Sequence, residues 1–349
     1  MNPRERGFLL LTSRLGNPDR QVLSTAQLRM LALRMRGREC AQPEREMTRQ
    51  DFIELGYDRE TAERYCALLS DTQELDYYLS RGRKMDCTPV TRVSEEYPGI
   101  LRQRLGMDAP GCLWAKGELS ILNTPAVALV GSRELRAENR EFAAAVGYRA
   151  AEEGLTLVSG NARGADRTAQ EACLAAGGRV ISIVADELSK QARRRNLLYL
   201  SEDDFDGAFS TQRALSRNRC IHALGRMVFV AQSDFGHGGT WDGTVKNLRF
   251  GWSPVACFRD GSQAARQLEQ MGAYLIGADD LQDFGGLMEE EKHFLAHGGS
   301  PWAFSSAKVT AGDDNFIVPC GFVISIGHFD AVWNDFSGLF ICRSPDRRQ

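Results

Sequence analysis

Three glycine-containing stretches each follow a short apolar run: "GSR" (131–133) after "VALV", "SGNARGAD" (159–166) after "LTLV", and "SDFGHGGTWDGT" (233–244) after "MVFVAQ". Glycine at such places lets backbone N–H groups approach an anion closely, and a helix that starts there adds the positive end of its dipole. A turn needs no guanidinium, whereas a phosphate or a base edge matches the planar donor fork of arginine. Arg133 and Arg163 stand in two of these loops, and Arg217 and Arg219 flank Asn218 in "ALSRNRCIHALG". The chemistry this combination suits is anion recognition.

Other chemistries find less support. There is no "GxGxxG" after the first strand and no "GKS" or "GKT", so nucleotide hydrolysis on a P-loop is not expected. His293 and His297 lie four apart on a predicted helix without a third ligand at suitable spacing, and no metal is assigned to them. Ser132 and Ser159 have no histidine assigned beside them, so a nucleophilic triad is not assembled. No cofactor is expected.

The loops need a scaffold. From residue 127 short apolar runs alternate with helical stretches in units of roughly 30 residues: "VALV", "ENREFAAAVGYRAAEEG", "LTLVSG", "DRTAQEACLAAGG", "RVISIV". This is the pattern of an α/β fold, a doubly wound and mostly parallel Rossmann-like sheet of about six strands over 127–277. In such a sheet ligands bind where loops leave the carboxyl ends of the strands. Ahead of it, residues 1–82 predict a small helical domain, with Thr48 and Asp51 spaced as a capping box in "TRQDFIEL". Prolines at 89, 98, 110 and 125 make 83–126 a connecting layer, grouped with the sheet as one domain over 83–285. "STQRALSRNRCIHALG" predicts a single helix. The extension 286–349 is β-prone and aromatic and carries no assignable function.

Composition is that of a globular chain: 349 residues, 43% hydrophobic and 26% charged. The formal charge of −3 excludes a uniformly basic coat, so a basic surface must be local. Nine cysteines without a CxxC pair predict reduced, mostly buried thiols. No apolar run reaches membrane-spanning length and the first residues do not form a convincing signal peptide, so the expected compartment is the cytoplasm.

Taken together, "VGSR", "SGNARGAD", "LAAGGRVISIV" and "SRNRCIHALG", preceded by "YPGILRQRLGMDAPGCLWAKGELSIL", resemble the DprA/Smf family of DNA-processing proteins over about 95–258. The resemblance implies an extended Rossmann-like fold that binds single-stranded DNA in a basic pocket, acts as a homodimer, protects incoming DNA and helps load the RecA recombinase. Carried over by motif, Arg133, Ser159, Gly160, Arg163, Gly164, Asp166, Arg217 and Arg219 would line that pocket, with the arginines on phosphate. The loop reading adds Gly131, Ser132, Asn218, Gly239 and Thr244. Asp166 is expected to hold its loop, by capping the next helix or pairing Arg163. The chain departs from the family at Ala169-Gln170, where Ala-His is usual, and at "RRRN" ending in Asn196, where Tyr-Pro precedes the asparagine. No winged-helix pattern is legible in the tail. The acidic run "SEDDFDG" (201–207) would weaken DNA binding if it folded over the pocket.

Two alternatives stay open. "GGTWDGTVKN" (238–247) resembles the loop of lysine-decarboxylase-like enzymes that cleave nucleoside monophosphates, but Val245, Lys246 and Asn247 stand where those enzymes carry a glutamate. A sensor of a small nucleotide would use the same phosphate-cradling loops without polymer DNA.

Overall fold

The computed structural model describes residues 1–36, 38, 46–202 and 204–287, together with the backbone of three strands between 323 and 342. The chain divides into two compact units, each interrupted in sequence. The first holds 1–98, 107–123 and 181–217; the second holds 99–106, 124–180 and the described residues from 218 onward. Neither unit ends at the expected boundary of 82, because the N-terminal helices share their unit with later strands.

The first unit starts with α1 (Pro3–Thr12), α2 (Thr25–Met35), α3 (Arg49–Glu54), α4 (Arg59–Ser70) and α5 (Thr72–Lys84). Asn2, Ser24, Thr48 and Asp58 cap the first four, each side chain accepting a backbone N–H three residues on. The expected capping box is present: Thr48 Oγ1 accepts from the Asp51 N–H at 3.3 Å, and Asp51 Oδ2 accepts from the Thr48 N–H at 2.7 Å. Leu11, Leu23, Leu31, Phe52, Leu55, Ala62, Tyr65 and Leu68 form the core between these helices.

Strand β1 (Cys87–Thr91) pairs antiparallel with β2 (Cys112–Gly117), inside the stretch expected to be only a connector. Pro89 is tolerated because β1 lies at the edge of the sheet among the described strands, and an edge strand can spare one N–H. The other side of β2 pairs antiparallel with β6 (Leu197–Ser201). The acidic run that follows β6 is used within this unit. Asp204 accepts from Ser13 Oγ at 3.1 Å, and Asp206 accepts from the Tyr78 hydroxyl and from Arg81 Nη2, both at 2.9 Å. Phe205 is fully buried against Tyr78 and Trp114. These carboxylates are engaged by the N-terminal helices.

The second unit carries the parallel strands: β3 (Ala126–Val130), β4 (Thr156–Ser159), β7 (Val228–Val230), β8 (Val255–Phe258) and β9 (Tyr274–Ile276). They lie in the order β4-β3-β7-β8-β9, and all four pairings are parallel. Every residue of β3, β4 and β7 is buried, which is why they read as unbroken apolar runs. From β3 the chain moves one way through α7 (Ala137–Glu152), β4 and α8 (Ala165–Ala175). From β7 it moves the other way through α11 (Gly239–Phe250), β8 and α12 (Gln263–Gln270). Right-handed crossovers in opposite directions put the two helix sets on opposite faces, and the order reverses between β3 and β7. The expected doubly wound, mostly parallel α/β fold is what the chain adopts. A Cβ on Gly147 of α7 would lie 2.1 Å from the Ala169 carbonyl oxygen, so only glycine permits the observed α7–α8 contact.

The remaining elements refine the expectation. Helix α6 (Gly99–Leu105) belongs to the second unit, and β5 (Arg179–Ile183) carries the chain from the second unit into the first. The helix predicted over 210–225 breaks at Arg217 into α9 (Thr211–Ser216) and α10 (Asn218–Leu224). In the C-terminal extension β10 (Val323–Ile326), β11 (Phe329–Asn334) and β12 (Gly338–Cys342) form an antiparallel sheet, consistent with its β-prone composition.

Candidate anion-binding cleft

The reversal of strand order leaves a crevice at the carboxyl ends of β3 and β7, the general location for ligands in this architecture. Two of the three glycine loops meet there. Ser132 donates its N–H to the Gln232 carbonyl at the end of β7 (2.9 Å), and its own carbonyl accepts from Ala165 N–H (3.2 Å) at the start of α8. Gly131 and Gly164 make this closeness possible. A Cβ on Gly131 would lie 2.5 Å from Ala165 Cβ, and one on Gly164, whose φ is +83°, would lie 2.5 Å from both the Ser132 and Arg133 carbonyl oxygens. The space freed at Gly164 is thus filled by the neighbouring loop.

Together these loops and the first turns of α7 form an open cleft of about 330 Å3 lined by Arg133, Glu134, Leu135, Arg140, Arg163 and Gly164. Arg163 Nη2 pairs with Glu134 Oε1 at 3.0 Å, with the two side chains 70% and 87% exposed. Arg133 and Arg140 are also exposed, and neither guanidinium has a partner among the described residues. Three guanidinium groups less one carboxylate leave the lining with a formal charge of +2. The helices entering it add to this field: α7 and α8 both begin without a side-chain cap, although the Ala165 N–H at the start of α8 is taken by the Ser132 carbonyl.

The other expected site residues are placed differently. Ser159 and Gly160 are buried; Gln170 Nε2 donates to Ser159 Oγ at 2.7 Å and also to the Gly160 carbonyl. Their polar atoms and Gln170 brace the loop from inside. Asp166 accepts the Ala162 N–H within its loop at 3.3 Å, while Arg163 takes Glu134 as its partner. Arg217, expected on an exposed cationic face, is only 8% exposed and donates from Nη1 to the Ile183 carbonyl at 2.7 Å. A guanidinium turned inward satisfies a carbonyl at the end of β5 and does not face solvent. Asn218 Nδ2 donates to the Gly239 carbonyl at 3.0 Å, tying α10 to the start of α11, and Arg219 is half-buried.

Thr244 is fully buried on α11, and its hydroxyl has no hydrogen-bond partner among the described residues. The same holds for both ring nitrogens of His222 on α10 and for Asn247 Nδ2 on α11. Burial pushes the His222 imidazole down to about 3, which keeps it neutral. Asn247 Oδ1 accepts the Ser253 N–H at 2.9 Å, so this position supplies an internal brace and no general base. Near the α11 start, Phe235 is 43% exposed and meets Trp241 edge-on at 5.2 Å between ring centroids.

Among the described residues no group of three His, Cys, Asp or Glu side chains could hold a metal, and no helix is long and apolar enough to cross a membrane. His293 and His297 lie outside the described residues. Burial raises the thiols of Cys87 and Cys173 to about 11 and that of Cys257 to about 12, which disfavours thiolate chemistry there.

Of the residues lining the cleft, the loop motifs in the sequence single out Arg133, Arg163 and Gly164 but not Arg140 or Glu134. Arg140 stands in the first turn of the helix that opens shortly after "GSR", outside the loop motif itself.

The fold and the cleft define a Rossmann-like α/β protein with a cationic crevice at its topological switch point. The family model described as DNA recombination-mediator protein A matches residues 88–284, and the chain belongs to that family. DNA processing protein DprA of Streptococcus pneumoniae is 31% identical over 192 residues, covering 51% of this chain and 68% of the relative. Protein Smf of Escherichia coli is 31% identical over 151 residues, 40% of each chain. The crystal structure of DprA from Streptococcus pneumoniae superposes with a TM-score of 0.62 at 24% identity, covering 81% of this chain and 98% of that one, which bears on the fold.

Proposed function

We propose that this chain binds single-stranded DNA through the cleft formed by Arg133, Arg140, Arg163 and the adjoining helix starts. In this reading it acts in the cytoplasm as a homodimeric recombination mediator that protects the incoming strand and helps load the RecA recombinase. The observation that carries the reading is the pair of guanidiniums, Arg133 and Arg140, held without partners among the described residues in one crevice at the switch point. Gathering like charges there works against folding, and a polyanion compensates them. The half-exposed ring of Phe235 offers a face on which a base can stack without sequence preference. Asp166, Gln170 and Asn218 serve the site by holding loops and helix starts in place.

The test is fluorescence anisotropy with a labelled oligonucleotide titrated over salt. Three to five phosphate contacts at about −0.7 each give a slope of log affinity against log salt of roughly −2 to −3.5. Affinity that rises with oligonucleotide length, and weak competition by mononucleotides, separates this reading from that of a small-nucleotide sensor. Binding that cannot be detected at low salt refutes it. Adenosine monophosphate incubated with the chain should release no adenine. Gel filtration with light scattering tests the dimer, and co-sedimentation with RecA on an oligonucleotide tests the hand-over.

A further inference from the structure

The turn between β3 and α7 is fixed more firmly than an exposed loop requires. Gln232, at the end of β7, brackets it: its Nε2 donates to the Glu134 carbonyl and its Oε1 accepts the Arg136 N–H, both at 3.0 Å. One turn into α7, Asn139 is fully buried and donates to the Ala231 carbonyl at 2.7 Å and to Asp260 Oδ2 at 2.9 Å. These contacts set the directions in which the neighbouring Glu134 and Arg140 side chains leave the scaffold. Both enter the cleft.

An ion pair as exposed as Glu134–Arg163 contributes little to folding, yet it joins residues 29 apart across the mouth of a cationic crevice. In the absence of nucleic acid the Glu134 carboxylate lies on the same guanidinium that a phosphate would take. We propose that Glu134 is a built-in competitor, displaced from Arg163 by a DNA phosphodiester, and that Arg140 is a further phosphate-binding residue. The proposal rests on the reading of the cleft as the DNA site and adds a mechanism by which the chain weakens and tunes its own affinity.

The pair has a signature in the salt dependence. Added salt weakens phosphate binding, but it also weakens the Glu134–Arg163 pair that the phosphate must break. The slope of the unaltered chain is therefore shallower than its contacts alone would give. Glu134→Gln removes the competitor at nearly constant volume. It should bind an oligonucleotide severalfold more tightly at low salt, with the advantage shrinking as salt rises and the slope steepening by up to about 0.7. Arg140→Ala should flatten the slope by about 0.7, and Arg140→Lys should restore most of it.

The experiment is a salt-titrated anisotropy series on the full chain, on Glu134→Gln, on Arg163→Ala and on the double variant, with thermal melts as a folding check. In the Arg163→Ala background Glu134→Gln should have less than half its effect, since the acid acts through that guanidinium. An undiminished gain there, or no gain in the single variant, overturns the competitor. An unchanged slope in Arg140→Ala overturns the added contact. If the unaltered chain itself fails to bind at low salt, the DNA reading falls and this proposal falls with it. Binding by the unaltered chain with indifferent variants sinks the proposal alone.

Discussion

The N-terminal helices and the helices that follow the glycine loops close their first turns in opposite ways. In α1, α2, α3 and α4 a side chain from Asn2, Ser24, Thr48 or Asp58 satisfies the first-turn N–H groups. In α7, α8 and α11 the residue at that place is Arg136, Gly164 or Gly238, and no side chain caps the turn. Helix α5 shows that an uncapped start is not sufficient to make a site: its Asp71 is drawn instead to Arg20, at 3.0 Å. Helix α12, after β8, is closed by Ser262. Open starts coincide with the three loops that the sequence singles out. Buried polar atoms without a hydrogen-bond partner among the described residues include the Tyr57 hydroxyl beside the N-terminal helices and atoms of Asn139, His222, Thr244 and Asn247 around α7, α10 and α11. One region is finished by its own side chains and the other is left incomplete, as sites for ligands and ordered water are.

The largest effect expected from this contrast comes from Gly164. Alanine there meets two carbonyl oxygens and a positive φ, so overpacking and backbone strain add to about 3–5 kcal/mol of lost stability. Chemical denaturation measures it. A loss below about 1 kcal/mol would mean that the two loops are free to separate.

Next is the pH dependence of the open region. His222 titrates near 3 when folded and near 6.5 when unfolded, so the unfolded chain binds the proton first. Its contribution is intact above about 6.5 and is lost as pH falls toward 3, about 3 kcal/mol of it by pH 4 at 1.4 kcal/mol per unit. His222→Gln should flatten that part of the stability profile, and an unchanged profile would place the proton elsewhere.

Arg217→Ala should cost about 2 kcal/mol, since it leaves a buried carbonyl of Ile183 unpaired. The sequence pattern leads to a different expectation, of Arg217 lining the pocket on phosphate. The pattern misleads here because Arg217 stands inside an uninterrupted helical periodicity, and the break between α9 and α10 that turns it inward depends on a contact 34 residues away. The same limit explains the acidic run, whose partners Tyr78 and Arg81 lie more than 120 residues earlier. What was legible is what local physics imposes: unbroken apolar runs for strands buried on both faces, the Thr48–Asp51 box, and arginine beside glycine at the loop ends. Ser159 and Gly160 read as ligand-facing because a loop motif does not reveal which of its residues point inward.

Thr48→Ala tests the closed region directly. Loss of a side-chain cap costs about 1 kcal/mol, and the effect should be confined to stability, with oligonucleotide affinity unchanged at temperatures well below the melt. An affinity change would show that the N-terminal helices take part in binding.

Arg133→Ala is the converse and the smallest in stability. The side chain is exposed, lines the cleft and has no protein partner among the described residues, so the melting temperature should move by less than about 1 °C. Its effect belongs to binding, as one lost phosphate contact and a salt slope shallower by about 0.7. The pair of variants then separates the two regions by a double dissociation: Thr48→Ala lowers stability without touching the slope, and Arg133→Ala lowers the slope without touching stability. If Arg133→Ala melts early, its guanidinium is holding the β3–α7 turn in the way Arg217 holds Ile183. In that case the charge left for a ligand rests on Arg140 and on whatever displaces Glu134 from Arg163.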